Sequence, residues 1–522
     1  MFSSRWGRAL TTESFEKIRT ALQDTYEKRG FILVLVEFPA QRIGADRSVT
    51  LVVHTPTISK GSLQNVCSHD LTVRSTLKTA CSALEQSVVQ RAIGGEHAVL
   101  TVGALDHTIE LLDVVSGDDT LKERAKATLY PGSTPWSTAV KFYVPTPDTF
   151  EGSSVAFDNW GSPYTGEERV LGQLSVHDMI ATGDTLSVLG SVSGMVGQYG
   201  RPGLEYGTAS YMLPVDSYGT RAGLILTALS YNVLGATTPA FGNAYIIDAE
   251  ISQPVWLTLR DHVFVQMDLD YYDLTDSFGS GYAGLTDART VPDIVVSLYG
   301  KHEKNLKHGE RSAVFKDSTF NWMLSATIGS VDFSNAEAES TDAATLKTGG
   351  FFYKGDLSLT ERFSLTDDSR LSLQFLSYSQ LSSKNLDPSQ QLVIGGPESV
   401  PAYASGIFNG SQGSYEMVTL DDVLWSNSRG DSFFSMGPLY AFGYIDVDRF
   451  YVPSTTSNNS AIMEGPGVEA TLRVGRLTGA VSMAVPVGAI PDIVSNSIPG
   501  AFNFNAAGSA PIQVWGRLSY VF

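Results

Sequence analysis

The chain has 522 residues, 49 of them glycine, with 17% charged and 10% aromatic; this suits many strands and turns spread over more than one folding unit. Its formal net charge of −19, with no basic stripe, excludes nucleic acid as a partner. No apolar run approaches the ~20 residues that a membrane helix needs, which excludes helical membrane proteins but not barrels, whose strands alternate.

The N-terminus, MFSSRWGRALTTESF, carries no apolar signal-peptide core. That implies either a cytoplasmic protein or a chain whose N-terminus is incomplete. Residues 1–150 read as mixed α/β. Thr11 or Thr12 is placed to cap a helix reaching Arg29, with Phe15, Ile18, Leu22 and Tyr26 on one face and Gly30 as its stop. Strands are expected over Phe31–Phe38 and Ser48–His54. A second cycle has helices from Leu77 to Ile93 and around His107–Val115, then strands over Arg124–Tyr130 and Thr138–Val144. This pattern predicts two small α/β modules, 1–58 and 59–150. Cys67 and Cys81 are either buried apolar thiols or one disulfide of an oxidising compartment.

From Ser153 the texture changes to short alternating segments separated by Gly, Asp, Ser and Asn. Val263, Val265, Met267, Leu269 and Tyr271 suit lipid, while Phe264, Gln266, Asp268, Asp270 and Tyr272 suit a wet lumen. The last segment puts Ile512, Val514, Gly516, Leu518, Tyr520 and Phe522 on one face, with Gln513, Trp515, Arg517 and Ser519 on the other. The expectation is a mainly β chain: a transmembrane antiparallel barrel over 151–522, with about sixteen strands. The terminal aromatic Phe522 marks its closing strand.

Motifs for chemistry are few. Gly279–Gly284 fits GxGxxG, but no helix start follows it, so it reads as a hairpin loop. His302 and His308 lie in KHEKNLKHGER (301–311), a solvated loop or strand end. No catalytic or metal-ligating residue stands out, no cofactor is expected, and the chain does not read as an enzyme. The segment IGGPESVPAYASGIFNGSQGSYEMVTL (394–420) breaks the strand pattern with glycines and prolines and reads as a long ordered loop.

That loop resembles the lumen-loop motif of the two-partner-secretion transporters of the TpsB (ShlB/FhaC/HecB, haemolysin activation/secretion) type. Gly395, Gly396, Pro397, Ser399, Val400, Ala402 and Tyr403 match it, while Pro401 stands where the family has arginine. Residues 157–188 resemble the family's first barrel strands through Asp158, Asn159, Gly161, Ser162, Thr165, Gly166, Gly183, Asp184 and Leu186. Residues 10–43 are similar to its first POTRA module, and ATLYPG (127–132) to the end of its second. The resemblance implies two periplasmic POTRA modules, a sixteen-stranded barrel in a Gram-negative outer membrane, and a loop folded back into the lumen. It further implies a secreted β-helical exoprotein (TpsA-like) as client, outer-membrane lipid and the barrel assembly machinery as partners, and a monomer. An outer-membrane assembly factor and a passive porin are the alternatives, with a soluble β-rich binding protein behind them. Asp446, in AFGYIDVDRF (441–450), fits the position of the acidic residue that the family's loop arginine reaches. With Pro401 there instead, the loop is expected to be held less firmly or by packing of Tyr403.

Overall fold

The computed structural model describes residues 11–43, 48–59, 67–68, 81–117, 124–194, 202–233, 240–278, 286–305, 317–344, 346–366, 368–446, 460–488 and 511–522. The chain divides into two compact units, one formed mainly by residues 1–147 and the other by residues from 148 onward.

In the first unit, helix α1 (Thr12–Lys28) begins where Thr11 accepts a hydrogen bond from Ser14 N, the capping expected of a β-hydroxyl residue. It packs on strand β1 (Leu35–Glu37), which pairs antiparallel with β2 (Val52–His54). Strands β3 (Thr57–Ile58) and β4 (Cys67–Ser68) lie end to end along one edge of β6 (Ser137–Tyr143), and β5 (Lys126–Pro131) pairs with its other edge. Helix α2 (Ala83–Ala92) starts at a reciprocal capping box between Ser82 and Glu85, and Thr101 caps α3 (Val102–Val115). The caps move both helix starts away from the positions read from periodicity: α2 begins later than Leu77, although 69–80 lie outside the described residues, and α3 begins earlier than His107. Cys81 is disulfide-bonded and no described cysteine is free, so of the two cysteine readings the disulfide holds.

The second unit is a closed antiparallel barrel of sixteen strands. In order they are β7 (Ser154–Asp158), β8 (Arg169–His177), β9 (Thr185–Ser193), β10 (Leu204–Pro214), β11 (Arg221–Asn232), β12 (Ala240–Leu257), β13 (Asp261–Phe278), β14 (Thr286–Asn305) and β15 (Asp317–Phe333). After α4 (Ala336–Ala344) come β16 (Gly350–Ser364) and β17 (Leu371–Ser382). A long excursion contains the short hairpin β18 (Leu392–Ile394) and β19 (Phe408–Gly410). The barrel resumes with β20 (Gln412–Ser426), β21 (Ser432–Asp446), β22 (Ser460–Val474), β23 (Leu477–Ala484) and β24 (Gln513–Val521), which pairs with β7.

The alternation read from sequence is the alternation of faces. Val265, Met267, Leu269 and Tyr271 are exposed outward, as are Ile512, Val514, Leu518, Tyr520 and Phe522. Phe522 N donates to Ser153 O at 2.9 Å, and its ring meets Tyr520 edge-on. A closed barrel with an apolar outer face on neighbouring strands is the form that a lipid bilayer demands of β structure. Gly279–Gly284 lies outside the described residues, between the paired strands β13 and β14; His302 is a strand-end residue of β14, and His308 lies outside the described residues.

In the first unit, Asp113 of α3 accepts from Ala125 N at 2.8 Å. Burial pushes its carboxyl up to about 6, with Glu110 adding to the rise; the Ala125 amide and Arg124 oppose it. A folded pKa above the unfolded one means that the folded state binds the proton more tightly. The contribution of Asp113 to stability is therefore fully present below about pH 4, is lost as pH rises through about 6, and is flat above. Hydrogen exchange of the α3 amides in the intact protein should show this loss, about 3 kcal/mol across the window, and Asp113→Asn should flatten it.

Candidate functional site

Residues 383–411 leave the barrel wall after β17 and rejoin it at β20. The excursion starts earlier, and ends earlier, than the loop expected over 394–420: residues 412–420 belong to β20. The reason is a reversed pattern. On β20 the inward residues Tyr415 and Met417 are the apolar ones that meet a buried cluster, while Glu416 stands on the outward side with Val418. A strand whose lumen face is apolar does not show the wet-lumen alternation.

The tip of the loop is built by its glycines. Gly395 (φ +109°) and Gly396 (φ +93°) occupy conformations that side chains resist, and a Cβ on Gly395 would lie 2.2 Å from Ala404 O. Gly395 N donates to Ser399 Oγ at 2.9 Å, and Gly396 N donates to Tyr403 O at 2.9 Å, closing the turn on which Pro397 sits half-buried. Val400, Ala402 and Tyr403 are buried to 1% exposure or less and pack with Ile394, Ile407 and Phe408 against inward residues Ala441, Ile445, Ala461, Met463 and Ala484. The wall makes room with glycine. A Cβ on Gly443 would lie 2.9 Å from Val400 Cγ2, and one on Gly465 would lie 2.4 Å from Ala402 Cβ. Pro401 is buried, and its carbonyl accepts from Trp515 Nε1 of β24 at 2.8 Å.

The root of the loop crosses the opposite part of the wall. Asp387 caps the 3-10 turn Pro388–Gln390 by accepting from Ser389 N at 2.9 Å, and it takes the guanidinium of Arg289 on β14. Arg289 also donates to Asp276 at 2.7 Å and lies 3.4 Å from Asp287. Gln390 donates to Asp293 at 2.9 Å, and Asn385 to Leu346 O at 2.9 Å. Leu386, 1% exposed, sits among Leu274, Val291, Val331 and Phe352. Asp446, expected as the loop's acidic partner, is the last residue of β21; it is half-buried, opposite Gln412 and Ser460, and its carbonyl oxygen is 2.7 Å from where a Cβ on Gly410 would be.

The first-strand motif sits at the seam. Asp158, 1% exposed, receives Arg169 at 2.8 and 3.1 Å, with Arg517 at 3.9 Å. Asn159 donates to Val514 O at 2.8 Å and accepts from Gly516 N at 2.7 Å. Gly161 and Gly166 let the following turn fold tightly, since a Cβ on Gly161 would fall 2.0 Å from Gly166 O and one on Gly166 2.2 Å from Gly194 Cα. Asp184 accepts from the amides of Met179, Ile180 and Ala181 and thereby holds the β8–β9 turn.

Across the lumen from the loop tip the wall is acidic. Asp248 and Glu250 of β12 and Asp268 of β13 each bring a carboxylate oxygen within 4.8 Å of the others, the described cluster whose spacing could hold a cation. Asp270 stands directly opposite Asp293 on β14. Sequence reasoning missed Arg289, Asp387, Gln390 and Trp515 as anchors. The Asp387-Pro388 pair was a readable turn start, and the alternation Asp287, Arg289, Val291, Asp293 marks one face of β14.

Solved structures share this architecture. CdiB from Escherichia coli aligns with TM-score 0.72 at 16% identity, over 100% of this chain and 86% of that one. The chain has the CdiB fold. CdiB from Acinetobacter baumannii aligns with TM-score 0.65 at 13% identity, over 99% and 83%. BamA from Haemophilus ducreyi lacking POTRA domains 1–3 aligns with TM-score 0.51 at 11% identity, over 99% and 95%. No protein-family model and no curated protein matches the sequence. The likeness is one of fold, at 11–16% identity over nearly the whole chain.

Replacing Gly443 by leucine tests the seat of the loop, because the three atoms nearest to its Cβ would be side-chain atoms of Val400 and Ile394 of the loop and of Met463 of the wall. The expected cost is about 1–3 kcal/mol of barrel stability. Limited proteolysis in detergent should cut residues 394–407 faster, while the folded barrel keeps its electrophoretic mobility.

Proposed function

We propose that the protein is an outer-membrane translocator of the two-partner-secretion type, exporting a large β-helical exoprotein of haemolysin or adhesin character. The observation that carries this reading is the loop: an IGGPESVPAY motif seated on a glycine-relieved wall inside a sixteen-stranded CdiB-like barrel. Residues 1–58 and 59–150 act as two periplasmic POTRA modules, whose sheet edges capture the unfolded client by strand addition. The chain works as a monomer, without cofactor and without covalent chemistry of its own. Folding of the client outside supplies the direction.

The physics of the lumen supports the reading. An extended polypeptide needs a wet path, and the carboxylates of β12–β14 offer one. The apolar half is covered by the loop, so the resting pore is narrowed. An assembly factor that inserts other barrels is the second reading, favoured by the likeness to BamA. It predicts growth or barrel-assembly defects on deletion, where the translocator predicts loss of one exported protein.

Two measurements test this. Expressed behind a signal peptide in a Gram-negative host, the chain should fractionate with the outer membrane and migrate differently with and without boiling. Co-expression with a candidate exoprotein should release that client into the medium, and deletion of residues 11–147 should abolish the release. A soluble protein with unchanged mobility would refute the barrel in the membrane. In planar bilayers the open pore should prefer potassium to chloride, because one wall of the lumen is lined with carboxylates; Asp248→Asn with Glu250→Gln should weaken that preference.

A further inference from the structure

The lumen loop is held in two different ways. Its tip, residues 394–408, is held by packing: Ile394, Val400, Ala402, Tyr403, Ile407 and Phe408 are each 3% exposed or less and share one apolar cluster with the wall. Its root, residues 384–390, is a strap over β14–β16 held chiefly by charge and hydrogen bonds, with Leu386 as its apolar pin. The central contact is Asp387 on Arg289, whose side chain is 5% exposed.

Arg289 is over-supplied with acid. Besides Asp387 it has Asp276 at 2.7 Å and Asp287 at 3.4 Å, both on the wall. A buried ion pair that loses one partner normally strands a charge, which makes it a rivet. Here the departure of Asp387 leaves the guanidinium still paired, and Asp387, whose turn is anchored in a loop, moves towards water. The arrangement removes the main penalty for opening.

We propose that the strap 384–390 is the moving gate of the pore, with Asp387–Arg289 as its latch and Asp276 and Asp287 as the residues that set how easily it releases, while the loop tip stays seated. This rests on the translocator reading for its purpose but not for its test. The strap lies over the same run of wall as Asp293, which Gln390 covers, so its release uncovers part of the acidic wall.

The test is single-channel recording of the full chain in planar bilayers, with unboiled mobility as the check of folding. Asp387→Asn, which keeps the cap on Ser389 but loses the charge, should raise the frequency of opening about tenfold, the order expected for a charge-assisted hydrogen bond. Asp276→Asn with Asp287→Asn should lower it, because Asp387 then becomes the sole compensation of a buried charge. A purely structural role would loosen the barrel in both variants alike. The second measurement staples the tip: Val400→Cys with Gly443→Cys, where a Cβ at 443 would lie 2.9 Å from Val400 Cγ2. Openings that persist in the oxidised protein support the strap as the gate. Openings that vanish on oxidation and return on reduction overturn it, as does an Asp387→Asn pore that opens no more often than the wild type. Should Asp387→Asn fail to fold, the stapled protein decides alone. Failure of client secretion with normal gating would instead count against the translocator reading.

Discussion

Everything in this barrel depends on closing it. Lipid offers the backbone no water, so a strand edge left open costs several kcal/mol for each bare N–H or C=O. Closure here falls on the shortest wall strand, β7, which spans five residues where β14 spans twenty. The ladder between β24 and β7 ends at Asp158. Asn159 then continues it with its side chain, taking the Gly516 amide and giving to the Val514 carbonyl as a further backbone residue would. Asp158, with Arg169 on β8 and Arg517 on β24, clamps both sides of the same junction. The Asp-Asn pair is thus a seam, and its residue types follow from what a short ladder lacks.

Closure fixes the wall, and the wall fixes the loop. The lumen is divided into an acidic part, on β12–β14, and an apolar part, on β20–β23. An apolar lumen face is unstable in water, so that part is coherent only with a cover. Ala441, Gly443, Ala461, Gly465 and Ala484 are small where the loop comes closest, and Ile445 and Met463 fill the remaining space. Loop and wall are one packed core that happens to lie inside a barrel.

The barrel was legible because lipid imposes a strict period: the outward residues of β13 and β24 follow from alternation alone. The motif at 395–403 was legible as a sequence pattern, and its glycines explain themselves through positive φ. Two things were hidden. The first part of β20 carries Tyr415 and Met417 towards the lumen and Glu416 outward, so a reading that assigns apolar to lipid takes it for loop. The anchors were hidden because Arg289 and Asp387 are 98 positions apart, and only the fold brings them together. In the first unit the helix starts were set by Ser82 and Thr101, local hydrogen bonds that periodicity does not weigh.

The kind of contact decides which part of the loop can move. Fully burying a large apolar side chain contributes roughly 1.5–3 kcal/mol. The tip buries Ile394, Val400, Tyr403, Ile407 and Phe408, which together amount to about 10 kcal/mol. Withdrawing the tip would also expose Ala441, Ile445, Ala461 and Met463, which share its buried cluster. The strap gives up one such side chain, Leu386, and its polar contacts with Gly349, Leu346, Ser411, Arg289, Asp293, Lys354 and Gln380, which at about 1 kcal/mol each bring it to a similar total; the difference is that water can replace these one at a time. Its ion pair costs less than most buried pairs because Arg289 keeps two wall carboxylates. A pore that must open without an external energy source will therefore open where its loop is held by exchangeable polar contacts, along the strap.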